Sequence, residues 1–562
     1  MTFTEATLSR CRTLFSQVLA VVLLSALVGC MSERDLPGSA PIVQTSAGTY
    51  TGMLVASTPA IARYAGIRYA APPTGELRFR PPQRLEGPQR LSGPAGEIPA
   101  KSFGSACYQD FSYDEFVWRR GEFARSEDCL FLNIWAPAES RDLPVMVWFH
   151  GGSHTGGYAH AQIFDGAQLA ARDVVLVSVN YRLGAFGFLA HPALAAETDD
   201  DSSGNFGLMD KLAALRWVQD HIAAFGGNPD NVTIFGQSAG SMSVCALMAA
   251  PQARGLFHKA IGQSAACLNP PRNPAADPTG RTQGLGLTAH LQLDAHDPAA
   301  IAAALRALTP AQLQQAANES GWTAGPKLVV DGRLLQTSPR QTFLAGQHHA
   351  VPLLVGSLAN EGAELLPLQA DLDRATLAAR LSQLFPGQSD ALLARYAKDL
   401  AFSPGLAQRE ILVDQFMAWA MRDWARANTA AGAPSYLYFM QRATPIFALY
   451  TPGDPGVDLT DGPYRSGPRS AGAYHSGDLA YVFGNTRLVG EHWQAEDHQL
   501  STQMVGYWTN FARSGDPNGS GLPAWPRFDA RHATQVLDAP ISTAASGVRT
   551  AKLDLFDAAL AN

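Results

Sequence analysis

The residue with the most suitable surroundings for nucleophilic chemistry is Ser238, at the centre of residues 236–240, which read Gly-Gln-Ser-Ala-Gly. An apolar run over residues 232–235 ends directly before this motif, and an apolar segment with helical character, residues 241–250, follows it. A G-x-S-x-G sequence between a strand and a helix is typical of a turn that holds a nucleophilic serine in a strained backbone conformation. The N-terminus of the following helix favours negative charge. The sequence therefore predicts that Ser238 is a nucleophile.

A serine hydroxyl needs a base to take its proton, and fixed N–H groups to stabilise the oxyanion that its attack produces. Where this motif occurs, one N–H group belongs to the residue after the serine, here Ala239, and another to a glycine-rich loop after an earlier strand. Residues 150–153 read His-Gly-Gly-Ser and follow the apolar run 145–149. We therefore expect an oxyanion hole formed by the backbone N–H groups of Gly152, Ser153 and Ala239.

The elements that must position these residues alternate between strand and helix. Further apolar runs expected as strands are residues 174–179, 259–264 and 351–355. Residues 207–225 carry apolar side chains at helical spacing, and the Ala-, Leu- and Gln-rich stretches 288–320 and 372–431 are expected as helical insertions. Apolar strands separated by helices indicate an α/β protein with a large, mostly parallel central sheet covered by helices on both faces.

Several longer segments follow the pattern of one enzyme family. Residues 126–135 read Ser-Glu-Asp-Cys-Leu-Phe-Leu-Asn-Ile-Trp, and residues 235–240 read Phe-Gly-Gln-Ser-Ala-Gly. Collinear matches of the same kind lie at residues 66–67, 78–80, 180–188, 225–229, 507–512 and 525–526. Together they resemble the type-B carboxylesterases, a family that includes cholinesterases and bacterial para-nitrobenzyl esterases. The resemblance implies an α/β-hydrolase fold over residues 42–562 and hydrolysis of carboxylic esters through an acyl-enzyme intermediate.

Two more motifs of that family supply a base and an acid. Residues 360–362 read Asn-Glu-Gly, and residues 475–479 read His-Ser-Gly-Asp-Leu. The resemblance implies that His475 is the general base and Glu361 the acid that orients it. The chain order Ser238, Glu361, His475 is the order expected for this fold. In these roles His475 moves the proton from Ser238 to the leaving alcohol, while Glu361 fixes the tautomer of the imidazole.

The resemblance also implies interactions that support the site. The family's two ion pairs correspond to Arg78 with Glu127 and to Arg182 with Asp210. Its buried polar pair behind the histidine corresponds to Ser264 with Asp478, and its first disulfide corresponds to Cys107 with Cys129. The two cysteines left in the body of the chain are Cys245 and Cys267. Cys245 lies in an apolar helical pattern, so we expect a buried thiol there, and its pairing with Cys267 is the less favoured alternative.

The N-terminus has the features of an export signal. Arg10 and Arg12 precede an apolar run over residues 14–28, which is short for a membrane-spanning helix of about 20 residues. Residues 27–30 read Leu-Val-Gly-Cys and resemble a bacterial lipobox, although an ordinary signal peptide with a chance cysteine is an alternative.

The lipobox implies that residues 1–29 are a lipoprotein signal peptide and that Cys30 is lipidated. Residues 30–41 are then a tether to the membrane. Met31 stands where an aspartate would indicate retention at the inner membrane, so the outer membrane is favoured.

Three positions differ from the family pattern. Ser153 stands where a third glycine is common, so its backbone must adopt a conformation that a serine permits. His154 replaces an apolar aromatic residue, and we expect it to line the mouth of the site, with a contact to substrate as the alternative. Trp118 lies near the position of the choline-binding tryptophan of cholinesterases, and is expected as a packing aromatic rather than a cation site.

Composition and motifs exclude other classes of protein. The 562 residues carry a formal net charge of −7, without the concentrated basic face of a nucleic-acid binder. No CxxC pair, HExxH motif or spaced carboxylate cluster is present, so the sequence predicts no metal and no cofactor.

Two alternatives to a small-ester esterase are a catalytically inactive adhesion module and a true lipase. The inactive relatives have lost the nucleophile, whereas this chain keeps all three triad residues. The segment between Cys107 and Cys129 spans only 22 positions, which leaves little room for a long lid. This favours short-chain or aromatic esters as substrates.

Overall fold

The structure is a computed structural model that describes residues 40–85, 97–110, 123–269, 277–293, 297–366, 368–445, 469 and 471–560. The predicted signal peptide, most of the tether with Cys30, and Trp118 lie outside the described residues. None of the helices in the described ranges combines the length and the apolar character needed to cross a bilayer.

The described residues contain sixteen β-strands. They are β1 (Ile42–Thr45), β2 (Gly48–Thr51), β3 (Met53–Ser57), β4 (Ala60–Arg68), β5 (Ile98–Pro99), β6 (Ala106–Cys107), β7 (Arg125–Ser126), β8 (Phe131–Pro137), β9 (Leu143–Phe149), β10 (Val175–Val179), β11 (Gly227–Gln237), β12 (Lys259–Gln263), β13 (Leu353–Leu358), β14 (Ser435–Met440), β15 (Thr534–Leu537) and β16 (Ser542–Ala544).

Eleven of these strands form the central sheet, in the order β3-β4-β8-β10-β9-β11-β12-β13-β14-β15-β16. Neighbouring strands from β10 to β15 in this order are parallel, and the outer pairs β3–β4, β4–β8, β8–β10 and β15–β16 are antiparallel. Two small sheets, β1-β2-β5 and β6-β7, lie outside it. The predicted large, mostly parallel sheet is confirmed.

Helices flank this sheet. The α-helices are Ala167–Ala170, Gly184–Phe188, Pro192–Ala195, Phe206–His221, Ala239–Ala249, Arg281–His290, Pro298–Ala307, Pro310–Glu319, Pro339–Leu344, Gly362–Leu365, Arg374–Leu384, Ser389–Arg395, Ala397–Phe402, Pro404–Val413, Ala420–Ala430, Leu479–Val482, Ala495–Ser514 and Thr550–Leu560, and a π-helical segment covers Asp414–Trp419. The two predicted helical insertions are therefore present, each as several short helices.

The sheet separates two hydrophobic clusters, as β9 illustrates. Val145, Val147 and Phe149 pack into one cluster with the helix Ala239–Ala249, and the alternate residues pack into the other with the helix Ala495–Ser514. Side chains alternate between the two faces of a strand. Burial on both faces therefore explains the continuous apolar run at β9. Polar residues are left to the carboxyl end of the strand.

Candidate active site

Ser238 lies in the turn between β11 and the helix Ala239–Ala249. Its backbone has φ 54° and ψ −123°, a region that residues with a side chain rarely occupy. The Ser238 N–H group donates to the Gln263 carbonyl at 2.8 Å, and its carbonyl accepts from the Met242 N–H group at 2.9 Å. These bonds to β12 and to the helix hold the strained turn in place.

Close packing of this turn depends on Gly240. A Cβ atom at position 240 would lie 2.0 Å from the carbonyl oxygen of Phe149, the last residue of β9. The absence of a side chain lets the helix approach the strand that leads into the glycine-rich loop. The nucleophile turn and this loop therefore meet at the carboxyl ends of adjacent parallel strands.

The predicted base and acid are in direct contact. His475 Nδ1 lies 2.6 Å from Glu361 Oε2, and both side chains are fully buried. The second carboxylate oxygen of Glu361 accepts from the Leu358 N–H group at 2.6 Å, which fixes the carboxylate at the end of β13. A carboxylate on Nδ1 favours the tautomer that carries its proton there, so that Nε2 presents a lone pair.

The other ring nitrogen of His475 faces the nucleophile turn. His475 Nε2 lies 3.1 Å from the side-chain Nε2 of Gln237, the residue before Ser238, and the Gln237 side chain is buried. In the tautomer described above, the amide donates a hydrogen bond to the lone pair of the imidazole. This contact was not predicted from the sequence, although the position of Gln237 inside the serine motif was a usable indication of it.

A buried carboxyl, Asp478, lies behind the histidine. Its Oδ2 accepts from the Gln263 amide at 2.8 Å and from the Tyr438 hydroxyl at 3.0 Å. Burial raises the pKa of Asp478 from 3.8 to about 6, although the hydrogen bond from Gln263 opposes this. The expected partner Ser264 is also buried, but among the described residues its hydroxyl has no hydrogen-bond partner. Gln263 therefore takes the place that the family resemblance gave to Ser264.

The glycine-rich loop after β9 passes beside Ser238. A Cβ atom at Gly151 would lie 3.1 Å from Ser238 Cβ. Gly152 has φ 100° and Ser153 has φ 55°, so the serine at the position of the third glycine adopts a left-handed conformation. Within the described part of the chain, the N–H groups of Gly152, Ser153 and Ala239 have no hydrogen-bond acceptor. These three groups are available to an oxyanion.

His154 does not line the mouth of the site as expected. Its side chain is buried rather than at a mouth, and Nε2 lies 2.9 Å from Ser243 Oγ on the helix Ala239–Ala249. Burial, followed by the nearby Lys211, holds the pKa of His154 well below its ordinary value. The substituted position is thus part of the interior polar structure next to the nucleophile turn.

The disulfides correct one sequence-based expectation. Cys107 and Cys129 are bonded, as the resemblance implied, and Cys245 and Cys267 are bonded as well. The expectation of a buried free thiol at Cys245 is wrong. The helical pattern indicated its burial, but it gave no information about the segment after β12, which brings the Cα atom of Cys267 to 5.7 Å.

The two implied ion pairs are present. The Arg78 guanidinium donates to the Glu127 carboxylate at 2.6 and 2.5 Å, and the buried Arg182 donates to Asp210 at 2.7 Å. Both pairs tie loops to the framework and lie outside the triad.

Comparison with known proteins places this geometry in a family. A sequence model described as the Carboxylesterase family matches residues 39–556. The chain belongs to the carboxylesterase family. It is similar to the cocaine esterase of Homo sapiens, with 33% identity over 541 residues that cover 91% of this chain and 90% of the relative. The fumonisin B1 esterase of Sphingopyxis macrogoltabida is 33% identical over 495 residues, which cover 83% and 82%.

Solved structures agree with these sequence relatives. A thermophilic PNB esterase superposes on this carboxylesterase with a TM-score of 0.73 and 30% identity, covering 92% of this chain and 100% of the other. A second PNB esterase structure gives a TM-score of 0.72 at 29% identity, covering 90% and 97%. The predicted α/β-hydrolase fold is confirmed, and the carboxylesterase catalyses serine-dependent hydrolysis of carboxylic esters.

Proposed function

We propose that Ser238, His475 and Glu361 form the catalytic triad of this esterase, and that the N–H groups of Gly152, Ser153 and Ala239 form its oxyanion hole. The main support is the 2.6 Å contact between His475 Nδ1 and Glu361 Oε2, combined with a ring whose opposite nitrogen faces the nucleophile turn. This is the orientation that a base needs to serve a serine.

The reaction follows from these contacts. His475 Nε2 takes the hydroxyl proton of Ser238 as Oγ attacks the ester carbonyl carbon, and the carbonyl oxygen becomes an oxyanion held by the three N–H groups. The intermediate collapses, and the leaving alcohol takes the proton from His475. Water then enters, gives a proton to His475 and attacks the acyl-enzyme, which releases the acid and restores Ser238. Glu361 stabilises the imidazolium in both halves.

Gln237 must yield during this cycle. Its amide donates to the same nitrogen that receives the serine proton. Gln237 therefore holds the resting imidazole in place and loses this bond when Ser238 transfers its proton.

We propose short-chain or aromatic esters as the substrates. The support is the short segment between Cys107 and Cys129, closed by a disulfide over 22 positions, which limits the size of a lid. The relatives named for cocaine and PNB esters are consistent with compact substrates. A series of para-nitrophenyl esters tests this: kcat/KM should be highest for the short acyl chains and fall as the chain lengthens, and a steady rise toward the longest chains would contradict it.

We also propose that the enzyme is exported and anchored by lipid on Cys30. The support is the sequence Leu-Val-Gly-Cys after an apolar segment with a charged start. Met31 directly after the cysteine favours the outer membrane of a bacterial envelope.

Substitution of the triad tests the catalytic assignment on a short para-nitrophenyl ester. Ser238→Ala and His475→Ala should each lower kcat by on the order of 10⁶, because the two groups act as a unit. Glu361→Gln should lower kcat by about 10⁴, since an amide cannot stabilise the imidazolium. Ser382→Ala, at an exposed serine on the helix Arg374–Leu384, is the control and should keep full activity. A Ser238→Ala enzyme with more than a hundredth of wild-type kcat would contradict the proposal.

A further inference from the structure

The substituted loop position His154 lies between the two parts of the proposed oxyanion hole. It follows Ser153 directly in the glycine-rich loop, and its side chain crosses to the helix that begins at Ala239. The ring is buried and packs 4.9 Å from the ring of Phe188. A residue in this position can set the distance between the loop and the helix.

A chain of two hydrogen bonds joins His154 to Ala239. Ser243 Oγ donates to the Ala239 carbonyl at 2.9 Å, and this uses its one proton. The contact of 2.9 Å between Ser243 Oγ and His154 Nε2 must therefore be donated by the imidazole. The direction of both bonds is then fixed, from His154 through Ser243 to the first turn of the helix.

The backbone of His154 is held from a third side. Its carbonyl accepts from the Gly184 N–H group at 2.7 Å. Ser153 and His154 have φ 55° and 58°, two successive non-glycine residues in the left-handed region. Such a conformation persists only when the surroundings determine it. The bonds of His154 contribute to that constraint, together with the Gly152 carbonyl, which accepts from the N–H groups of Thr155 at 2.9 Å and Gly156 at 3.0 Å. These bonds hold the loop in the form that exposes the Gly152 and Ser153 N–H groups.

We propose that His154 is a positioning residue of the oxyanion hole: through Ser243 it holds the carbonyl of Ala239, the residue that supplies one N–H group of the hole, and through its own backbone it holds the turn at Gly152 and Ser153. This inference rests on the oxyanion hole proposed above. His154 does not touch the substrate in this role. Its effect is confined to how well the N–H groups match the transition state.

Two substitutions break the link at different points. His154→Phe keeps a ring beside Phe188 but removes the donor, and Ser243→Ala removes the middle of the chain while leaving the loop sequence unchanged. His154→Gln returns an N–H donor and is the rescue variant. His191→Phe is the matched control, because His191 is also buried and bonded to a hydroxyl, that of Thr288 at 3.1 Å, outside the site.

The readout is the affinity of a trifluoromethyl ketone, whose adduct with Ser238 mimics the tetrahedral intermediate, beside kcat and KM for a para-nitrophenyl ester. All values are expressed per active site, counted by titration with an organophosphate, so that a smaller fraction of folded protein does not change them. A buried residue with only a structural role would lower the number of active sites and leave the ketone affinity per site unchanged.

We expect His154→Phe and Ser243→Ala to lower kcat by roughly tenfold to a hundredfold, less than the 10²–10³ for loss of a whole donor, with KM within about threefold. Ketone affinity should fall by the same factor as kcat/KM, because both report the transition state. His154→Gln should recover most of the loss, and His191→Phe should keep wild-type ketone affinity per site.

If wild type binds the ketone tightly and both His154→Phe and Ser243→Ala keep that affinity, the role of His154 is overturned. The proposed triad is unaffected by that result. A wild-type enzyme that binds the ketone no better than Ser238→Ala would overturn the proposed function itself, and this inference with it.

Discussion

The buried carboxyl of Asp478 shows how tightly single residues are constrained around the base. It shares its environment with Glu361 and His475, and its pKa of about 6 lies well above the ordinary 3.8 because it is fully buried. The folded protein therefore keeps the proton on Asp478 at pH values where the unfolded chain has lost it. This difference makes a prediction about stability as a function of pH.

Between about pH 4 and pH 6 the folded state binds more protons at Asp478 than the unfolded state, so the free energy of unfolding must fall as the pH rises. Above about pH 6 this decrease in the free energy of unfolding is complete and amounts to about 3 kcal/mol. Asp478→Asn removes this dependence and leaves the other titrating groups in place. Urea unfolding of both proteins at several pH values measures the difference, which should grow across this window and then stay constant. If the free energies of unfolding of wild type and Asp478→Asn change with pH in parallel, Asp478 does not titrate between pH 4 and pH 6.

The members of the proposed triad could be named from the sequence because each lies in a short motif with fixed spacing. Gln237 and His154 lie in the same motifs, yet their partners His475 and Ser243 are 238 and 89 positions away. No local pattern encodes such contacts. The sequence could indicate that His154 departs from the family, but only the packing of the loop against the helix shows what the imidazole bonds to.

At the scale of elements, the site depends on how closely the helix Ala239–Ala249 approaches β9. A Cβ atom at Gly240 would meet the Phe149 carbonyl, and neither strand nor turn can move without shifting the glycine-rich loop. Gly286, an exposed residue of the helix Arg281–His290, offers a comparison because a Cβ atom there meets nothing within 4 Å.

Gly240→Ala should lower the free energy of unfolding by at least about 2 kcal/mol and abolish most of the activity, because the packed core cannot accept the added carbon. Gly286→Ala should raise stability by up to about 1 kcal/mol, since alanine is the better helix former, and should leave activity unchanged. Denaturant unfolding and the ester assay check both. Equal effects of the two substitutions would show that the close approach at Gly240 is unimportant.

The second disulfide also acts on this helix, since Cys245 joins it to the segment after β12. Both disulfides close loops of 22 positions, so loop entropy predicts about 3 kcal/mol from each. Replacing Cys245 and Cys267 together by alanine should therefore destabilise the protein about as much as replacing Cys107 and Cys129. A digest without reduction should contain both linked peptide pairs. Recovery of Cys245 as an alkylated free thiol would contradict the pairing.

Most central strands were predictable because they are apolar runs that end at glycine or at polar residues. The strand β14 was harder to predict. It reads Ser-Tyr-Leu-Tyr-Phe-Met and follows a long helical stretch, where periodicity cannot separate a short buried strand from a helix. The start of β11 at Gly227 also precedes the apolar residues, because pairing with β9 extends the strand into a polar segment that includes a register shift.

At the scale of the whole molecule, one eleven-stranded sheet with a hydrophobic cluster on either face supports a site assembled from the ends of several strands. Ser238 follows β11, Glu361 follows β13, and the glycine-rich loop follows β9. Because their relative positions depend on the entire sheet, the site requires the full enzyme domain. The N-terminal segment carries a separate proposal, that lipid on Cys30 anchors the enzyme to a membrane.

Expression in a bacterial host tests the proposed anchor. Cys30→Ser should remove the lipidated residue, so the protein should leave the membrane fraction or keep the mass of the unprocessed chain. Cys11→Ser is the control: it lies inside the predicted signal peptide, and the mature protein should fractionate and weigh as wild type. A Cys30→Ser protein found in membranes with the wild-type mass would contradict lipidation at Cys30.

The central claim is that the sheet presents one activated serine, Ser238, to the ester. Labelling with a fluorophosphonate, followed by mass mapping of the peptides, tests it most directly, because such reagents require a nucleophile activated by its base. We predict one label per chain, on the peptide that contains Ser238, with no labelling of Ser238→Ala and strongly slowed labelling of His475→Ala. Stoichiometric labelling of a different serine, or labelling that persists in Ser238→Ala, would contradict the account.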